Sequence, residues 1–169
     1  ATRRAEPIVA ALLIQPQPAD ATADSAAIAY SRRAHEFATY QLAAWTERPV
    51  RQVPRLLQQR LEARGIAGAV GVVGDPLRAD WLLTIAIDTL HHDLSAAPGQ
   101  GRMAITAELF DRRSRARIAR RQFAAAVPAA SADAPGAAAA MSAALTQTID
   151  GLLPWLEAEL LEAAAKAPN

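Results

Sequence analysis

The tripeptide His91-His92-Asp93 is the segment of this sequence that comes closest to a pattern for metal or acid–base chemistry. It ends a run of alternating apolar residues, which predicts a strand. Because neighbouring side chains on a strand point to opposite faces, the two imidazoles cannot easily converge on one ion. His35 is distant in sequence and could join them only through the fold. We therefore interpret the tripeptide as a solvated strand end and predict no metal site.

Patterns for nucleophilic or cofactor chemistry are missing from the sequence. It has no Gly-x-Ser-x-Gly segment and no Cys, which excludes thiolate nucleophiles and disulfides in the residues given. The glycines from Gly65 to Gly74 follow neither the G-x-G-x-x-G order nor a G-K-[ST] ending. Carboxylates such as Asp80 and Glu108 form no pair by spacing. We predict no catalytic residue and no cofactor, and keep a hydrolase assembled from distant residues as a third hypothesis.

The strongest local charge is a group of arginines in a predicted hairpin: Arg112, Arg113, Arg115, Arg117, Arg120 and Arg121. A period of two would place Arg113, Arg115 and Arg117 on one strand face. We take these three and Arg112 as candidate residues for docking anionic lipid or an acidic protein surface. The alternative is a solvated edge hairpin that charge protects from aggregation. Nucleic acid is not favoured, because no aromatic residues are interleaved with the arginines.

The chain as a whole has no charge excess that would select a partner. Its 169 residues include 18 basic and 17 acidic side chains, a formal net charge of +1. Lys166 is the one lysine, so the preference for Arg beside so much Ala indicates a genome-composition bias. Apolar runs such as Trp81 to Ile87 are well below the ~20 residues that span a bilayer. Partners must be inferred from local features.

The first elements that would position these side chains are extended. Pro7 to Ile14 predicts a buried strand that ends at Pro16 and Pro18, because proline removes hydrogen-bond donors. A second extended region runs from Ala27 to Arg33, and we leave open its continuation from Glu36 to Tyr40. These segments predict the N-terminal part of a sheet.

One amphipathic helix is predicted between Thr46 and Arg64, where apolar residues recur every three or four positions. Pro49 suits its first position, and Gly65 suits the residue after its last turn. Pro54 does not suit a helix interior, so the helix either begins near Val53 or bends there.

Four more strands and a second helical region complete the sequence. The strands are predicted at Ile66 to Val73, Trp81 to Leu90, Arg102 to Phe110 and Arg115 to Val127. A meander is the economical arrangement. The segment from about Pro135 to Ala165 has apolar residues at helical spacing. Because Gly151 and Pro154 interrupt it, we predict two helical pieces or a kinked rod. The tryptophans are interpreted as core anchors: Trp45, Trp81 and Trp155.

The order strand, strand, helix, four strands, helix predicts an α+β fold. We expect a mostly antiparallel sheet with two main helices packed on one face. A chain of 169 residues is long enough for one hydrophobic core, so we predict a single domain over residues 1–169. Within it we expect residues 1–6 to be a tether remnant and residues 166–169 to be a disordered tail. Because the chain begins at Ala1 rather than Met, we expect a mature or truncated product whose targeting segment was removed.

Several short segments, in this order and spacing, carry a family resemblance: Ile28-Ala29-Tyr30-Ser31; Tyr40, Trp45 and Pro49 before Leu56-Leu57 and Leu61; Ala79-Asp80-Trp81-Leu82-Leu83; and Leu109-Phe110-Asp111. From about Pro7 to Leu160 the sequence resembles the auxiliary lipoproteins of ABC-type transport systems, the paraquat-inducible protein C-like family. Three features depart from that family. Glu6-Pro7-Ile8 replaces its usual Tyr-x-Leu, the loop from Gln15 to Ser25 lacks its usual Tyr-Leu, and the tail after Gly151 is longer.

The resemblance implies a periplasmic domain of the cell envelope, anchored to the outer membrane by a lipidated Cys upstream of Ala1. It also implies an MCE-domain protein, a permease and an ATPase as partners in lipid transport between the two membranes. The leading hypothesis is therefore a non-enzymatic auxiliary component of such a system. The runner-up is a carrier that binds a lipid or other amphiphile between helix and sheet, where small Ala side chains could leave a groove. Whether the chain forms a homo-oligomer stays open.

Overall fold

A computed structural model describes residues 2–18 and 23–167 of the chain. These residues form seven strands and two helices, which confirms the α+β class. The elements are β1 (Val9–Pro16), β2 (Ala27–Arg33), β3 (Glu36–Ala44), α1 (Pro49–Arg64), β4 (Ala67–Val72), β5 (Trp81–Asp93), β6 (Gln100–Asp111), β7 (Ala116–Pro128) and α2 (Ala134–Lys166).

The predicted second extended region is a hairpin of two antiparallel strands, so three strands rather than two precede α1. The chain reverses at Ala34 and His35, and Arg33 lies opposite Glu36. His35 has a φ of 64°, in the left-handed region that few residues other than glycine adopt. Because the turn contains no Gly, Asn or Pro, the sequence carries no turn signal here.

The strands join one mixed sheet with β5 at its centre. One edge of β5 pairs with β6, and β6 pairs with β7, both antiparallel, so the predicted meander holds for these three strands. The other edge of β5 pairs in parallel with β1 and then with β2. β4 lies beside β1 in parallel instead of joining the meander. The sheet is therefore mixed rather than mostly antiparallel: among the strands of residues 2–18 and 23–167, three of six pairings are parallel.

Both helices pack on the same face of the sheet, as predicted. Leu57 of α1 and Leu156 of α2 belong to one buried cluster with inward-facing residues of β1, β5 and β6. Trp81 is buried in this cluster, and Trp45 and Trp155 pack half-buried against it. The tryptophans are thus core anchors.

Helix α1 ends where predicted and begins at Pro49 rather than near Val53, so Pro54 lies inside it. It begins with Pro49 in its first turn and continues through Pro54. Gly65 ends the helix with a left-handed φ of 67°, and its backbone N–H is directed at the carbonyl oxygens of Leu61 and Glu62. A glycine takes this conformation without a steric penalty, which explains why the helix stops there.

Helix α2 is one continuous helix of 33 residues, which rules out the predicted alternative of two helical pieces and leaves the kinked rod a prediction. Gly151 and Pro154 lie inside it and are exposed. Pro154 leaves the carbonyl oxygen of Asp150 without a helical donor. Since this side of the helix faces solvent, water can satisfy that oxygen and the helix need not end.

The predicted domain boundaries fall partly outside the described residues, which exclude residue 1 and residues 19–22, 168 and 169. Within the predicted tail, Lys166 is the last residue of α2 and Ala167 is its C-cap. Within the predicted tether remnant, the backbone N–H of Arg4 donates to the carbonyl oxygen of Arg64 at 2.9 Å. The single domain, the tether remnant and the disordered tail stay predictions.

The sheet has two ends that matter for function. Leu12 of β1 lies opposite Trp81 of β5 in a parallel pair, so the segment before β1 emerges where β5 begins. Asp111 also lies opposite Trp81, which brings the β6–β7 turn to this end. We call the end of the sheet that holds the start of β5 and the β6–β7 turn the near end. β2 pairs with the last residues of β5, so the β2–β3 turn lies at the far end. At ~3.3 Å per residue, the 13 residues of β5 separate the two ends by roughly 40 Å.

Candidate functional site

The arginine cluster lies mainly in a turn at the near end. Residues 112–115 form the turn between β6 and β7, and Arg115 has a φ of 59°. Arg117 is the second residue of β7. The prediction that Arg113, Arg115 and Arg117 share one strand face is therefore wrong. A period of two applies only to extended chain, and the chain is still turning at Arg113 and Arg115.

Contacts with the segment before β5 hold the turn in place. The backbone N–H of Arg112 donates to the carbonyl oxygen of Asp80 at 2.8 Å. The guanidinium of Arg112 donates to the carbonyl oxygen of Ala79 at 3.1 Å. The guanidinium of Arg113 lies over the Trp81 ring, 5.6 Å from the ring centroid. The orientation of these two arginines is thus fixed by the fold.

Asp111 balances the charge of Arg113. It accepts hydrogen bonds from the backbone N–H of Arg113 at 2.9 Å and from its guanidinium at 3.3 Å. Desolvation alone would raise the pKa of Asp111, but these hydrogen bonds hold it below its ordinary value. The carboxylate therefore stays ionised, and Arg113 is the less available cation of the turn.

Glu108 balances the arginines of β7 in the same way. The guanidinium groups of Arg117 and Arg120 lie 3.5 Å and 3.6 Å from its two carboxylate oxygens. Glu108 lies on the sheet face opposite the helices, because its neighbour Leu109 is buried in the core, and Arg120 lies directly opposite Glu108 on β7. Of the four candidate docking residues, Arg113 and Arg117 are thus ion-paired.

Arg112 and Arg115 are the two candidate residues without an ion pair. Both are exposed, and neither has a carboxylate within 4.0 Å in the described part of the chain. The carbonyl partner of Arg112 orients its guanidinium without neutralising it. Arg78, in the loop that the turn contacts, is a third exposed cation of this kind. The near end therefore keeps positive charge that an external anion could bind.

A surface groove of about 340 Å³ lies beside the turn. It runs between the end of α2 and the strands. Its lining has both signs of charge: Trp81, Asp111, Arg117, Ile118, Glu159, Glu162, Ala163, Lys166 and Ala167. Because Lys166 already pairs with Glu162 at 2.6 Å, this groove offers less free positive charge than the turn does.

The apolar cavity between the two helices is small. It has a volume of about 30 Å³, close to the share of one water molecule in the liquid. Its lining is mostly apolar: Trp45, Pro49, Gln52, Val53, Leu90, Met141, Ser142 and Leu145. A lipid acyl chain does not fit this cavity as it stands.

His92 is fully buried, which corrects the interpretation of the His-His-Asp segment as a solvated strand end. The pairing of β5 with β6 shifts register between Ile87 and Thr89, and this irregularity turns His92 toward the core. The Tyr40 hydroxyl lies 2.8 Å from Nδ1 of His92, and the carbonyl oxygen of Pro98 lies 2.9 Å from Nε2. Because a carbonyl can only accept, we assign the proton to Nε2, and Nδ1 accepts from Tyr40.

Tyr40 and His92 connect three parts of the far end. Tyr40 belongs to β3, His92 to β5, and Pro98 to the β5–β6 loop. Burial raises the pKa of Tyr40, and the carboxylate of Asp133 at the start of α2 raises it further. The hydroxyl therefore keeps its proton and remains a donor to the ring.

His91 points away from His92, as predicted. Its ring packs edge-on against Phe37, with the centroids 5.2 Å apart, and burial lowers its pKa. His35 lies exposed in the β2–β3 turn. Within residues 2–18 and 23–167, no three His, Asp or Glu side chains gather closely enough to hold a metal ion.

The burial of His92 was missed although the sequence contains a signal for it. Ile87 and Leu90 are inward-facing apolar residues three positions apart, where a regular strand requires an even spacing. Asp88 and Thr89 between them mark the irregularity. Read in this way, the spacing places His92, two residues after Leu90, on the inner face.

The family model for the ABC-type transport auxiliary lipoprotein component matches residues 1–152. The chain belongs to this family. The resemblance seen in the sequence is thereby confirmed. This auxiliary lipoprotein is an envelope-associated transport component, and its family is not a known enzyme family. Among the described helices, none combines the length and apolar character needed to cross a membrane.

Solved structures share the fold of this auxiliary lipoprotein. Protein XCC0632 from Xanthomonas campestris is 24% identical, with a TM-score of 0.87 over 98% of this chain and 95% of that one. The PelC dodecamer from Paraburkholderia phytofirmans is 15% identical, with a TM-score of 0.54 over 90% and 92%. Protein CT253 from Chlamydia trachomatis is 10% identical, with a TM-score of 0.55 over 89% and 98%. At these identities the likeness shows the fold alone. The search among curated proteins found no match.

Proposed function

We propose that this protein is a non-enzymatic auxiliary component of an MCE-type system that moves lipids between the inner and outer membranes. It would lie in the periplasm, anchored to the outer membrane by a lipidated Cys upstream of Ala1. Its partners would be an MCE-domain protein, a permease and an ATPase. The family match over residues 1–152 is the observation that carries this proposal.

The packing of the molecule supports a mechanical role. A component that holds a transport partner needs a rigid body and a docking surface rather than reacting groups. One buried cluster joins both helices to the sheet. An ion pair between Arg60 and Asp150, 3.1 Å apart, links α1 to α2, and another between Arg4 and Glu157 links the N-terminal segment to α2.

A homo-oligomer is part of the proposal. PelC, which shares the fold at a TM-score of 0.54, is a dodecamer in its crystals. Light scattering coupled to size-exclusion chromatography would measure the mass of this chain in solution. A mass of 17.9 kDa at all concentrations would show a monomer and contradict this part.

The carrier function that the sequence left as runner-up has less support. Its lipid would have to lie between helix and sheet, where the groove of about 340 Å³ beside α2 is lined by charged side chains of both signs and the apolar cavity beside the two helices is only about 30 Å³. Native mass spectrometry after mild extraction separates the two functions. We expect the protein without stoichiometric lipid, and a bound lipid on most molecules would favour the carrier.

Co-purification tests the proposed function. The tagged protein would be recovered from gently solubilised membranes under conditions that retain a second, unrelated envelope complex as the control. We expect the MCE-domain protein, the permease and the ATPase to be recovered with it. Recovery of the tagged protein alone, while the control complex stays intact, would contradict the proposal.

A further inference from the structure

Three exposed cations that have no ion pair among the described residues lie together in a corner at the near end. Arg112 and Arg115 lie in the β6–β7 turn, and Arg78 lies in the loop that this turn contacts. No ion pair joins any of them to a carboxylate of the described residues. Asp111 is paired with Arg113, Asp75 in the loop accepts a hydrogen bond from the backbone N–H of Val72, and Asp80 is the other acid of this loop. The corner is therefore locally positive although the chain as a whole is nearly neutral.

The N-terminal segment leaves the fold at this same end. The pairing of Leu12 with Trp81 and of Trp81 with Asp111 places the start of β1 beside the turn. Arg4 is held there by its hydrogen bond to Arg64, at the end of α1. A lipid anchor attached ahead of this segment would therefore hold the near end, not the far end, against the bilayer.

Exposed apolar side chains accompany the cations. Ile118 of β7 is 39% exposed, and Leu161 in the last turns of α2 is 45% exposed. Arginine side chains beside protruding apolar groups suit the boundary between headgroups and acyl chains of an anionic membrane. The guanidinium groups can donate to phosphate oxygens while the apolar groups enter the boundary.

We propose that the corner formed by Arg78, Arg112, Arg115 and Ile118 docks on the anionic phospholipid headgroups of the membrane that holds the anchor. The inference rests on the proposed function, because the anchor brings the near end to the bilayer. Docking would fix the orientation of the protein and direct the far end, with the β2–β3 turn, away from the membrane. An acidic protein surface is the competing partner, which the experiment must separate.

Vesicle flotation with matched charge variants tests this docking. The vesicles contain equal parts of phosphatidylethanolamine and phosphatidylglycerol, and pure phosphatidylcholine vesicles measure binding without anionic lipid. We expect Arg112→Gln with Arg115→Gln to lower the partition coefficient about 25-fold, since each cation near an anionic surface contributes about fivefold. Arg32→Gln with Arg33→Gln is the control, because these far-end arginines are exposed and lack ion pairs in the described chain. The control has the same net charge and should change binding less than about twofold.

The possible outcomes separate headgroup docking from its alternatives. No preference of the unchanged protein for anionic vesicles overturns it, and so does an equal loss in both double variants. Unchanged vesicle binding with loss of the co-purifying transport subunits would assign the turn to an acidic protein. Lost vesicle binding with retained subunits supports docking and leaves the proposed function intact, so the two can fail separately. If the double variant does not fold, Arg78→Gln gives the same test with an expected loss of about fivefold.

Discussion

The hydrogen bond between Tyr40 and His92 allows a sharp test of how the far end is held together. Tyr40→Phe removes the donor and leaves Nδ1 of His92 without a hydrogen-bond partner. Water cannot replace the donor, because His92 is 0% exposed. An unsatisfied buried acceptor costs about 1–3 kcal/mol. Because Tyr40 is half-buried and its neighbours can adjust, we expect a loss of about 1–2 kcal/mol in the free energy of unfolding. In a domain of this size that lowers Tm by about 2–8 °C.

A double-mutant cycle isolates this hydrogen bond. His92→Leu removes both ring nitrogens, and its loss of the donor to Pro98 cancels in the cycle because it is present with and without Tyr40→Phe. In that background Tyr40→Phe should cost less than about 0.5 kcal/mol, which gives a coupling of about 1 kcal/mol. Urea unfolding followed by tryptophan fluorescence measures all four proteins. Tyr30→Phe is the control, because its hydroxyl has no hydrogen-bond partner among the described residues and its ring contact with Tyr40 remains. A coupling below about 0.3 kcal/mol would refute a stabilising hydrogen bond between Tyr40 and His92.

Two further predictions concern packing and pH. Gly101→Ala should lower the free energy of unfolding by at least about 2 kcal/mol, because the added Cβ would lie against the α2 backbone at Ala140. Gly151→Ala has room for its Cβ and should raise the free energy of unfolding by about 0.5–1 kcal/mol. Equal effects of the two substitutions in thermal unfolding would contradict this. Hydrogen bonds from the backbone N–H of Ser95 and the guanidinium of Arg102 lower the pKa of Asp93 to about 2. The ionised carboxylate therefore stabilises the fold at pH values above its ordinary pKa near 4, and this contribution is lost as the pH falls toward 2. Asp93→Asn should therefore lower the free energy of unfolding by about 1 kcal/mol at pH 7, where solvent screening limits the effect, and should have no effect near pH 2. The same loss of free energy at both pH values would contradict this prediction.

The helices and the faces of the meander strands could be predicted from local patterns. Apolar residues at helical spacing between Pro49 and Gly65 specify α1 and its ends. In β6, alternation places Ile105 and Leu109 on the buried face. These features depend on neighbours a few residues away, which a sequence displays directly.

The pairing of β4 could not be predicted in this way. A short apolar run is equally compatible with a meander and with a buried parallel strand, so Ala67–Val72 gives no preference. The decision depends on α1, which provides the long crossover that parallel strands require and so brings β4 beside β1. Strand partners are chosen by the whole fold rather than by the strand.

The prediction that Arg113, Arg115 and Arg117 share one strand face failed for a different reason. The arginines were assigned to one face because a period of two was extended from the strand predicted at Arg115 to Val127 back to Arg113, but the chain turns through residues 112–115. Only the fold could bring Arg78 to the same corner and show that Asp111 and Glu108 balance Arg113 and Arg117. The residues with unbalanced charge are therefore a subset of the cluster that the sequence suggested.

The orientation of the anchored protein on a membrane tests the central claim most directly. Because the chain contains no Cys, Ser114→Cys in the near-end turn and Ala34→Cys in the far-end turn each give one site for a fluorescent label. Spin-labelled lipid in vesicles that carry the lipid-anchored protein would quench a label only at short range. We expect strong quenching at position 114 and none at position 34. Equal quenching at both positions, or stronger quenching at position 34, would contradict the assignment of the near end to the membrane.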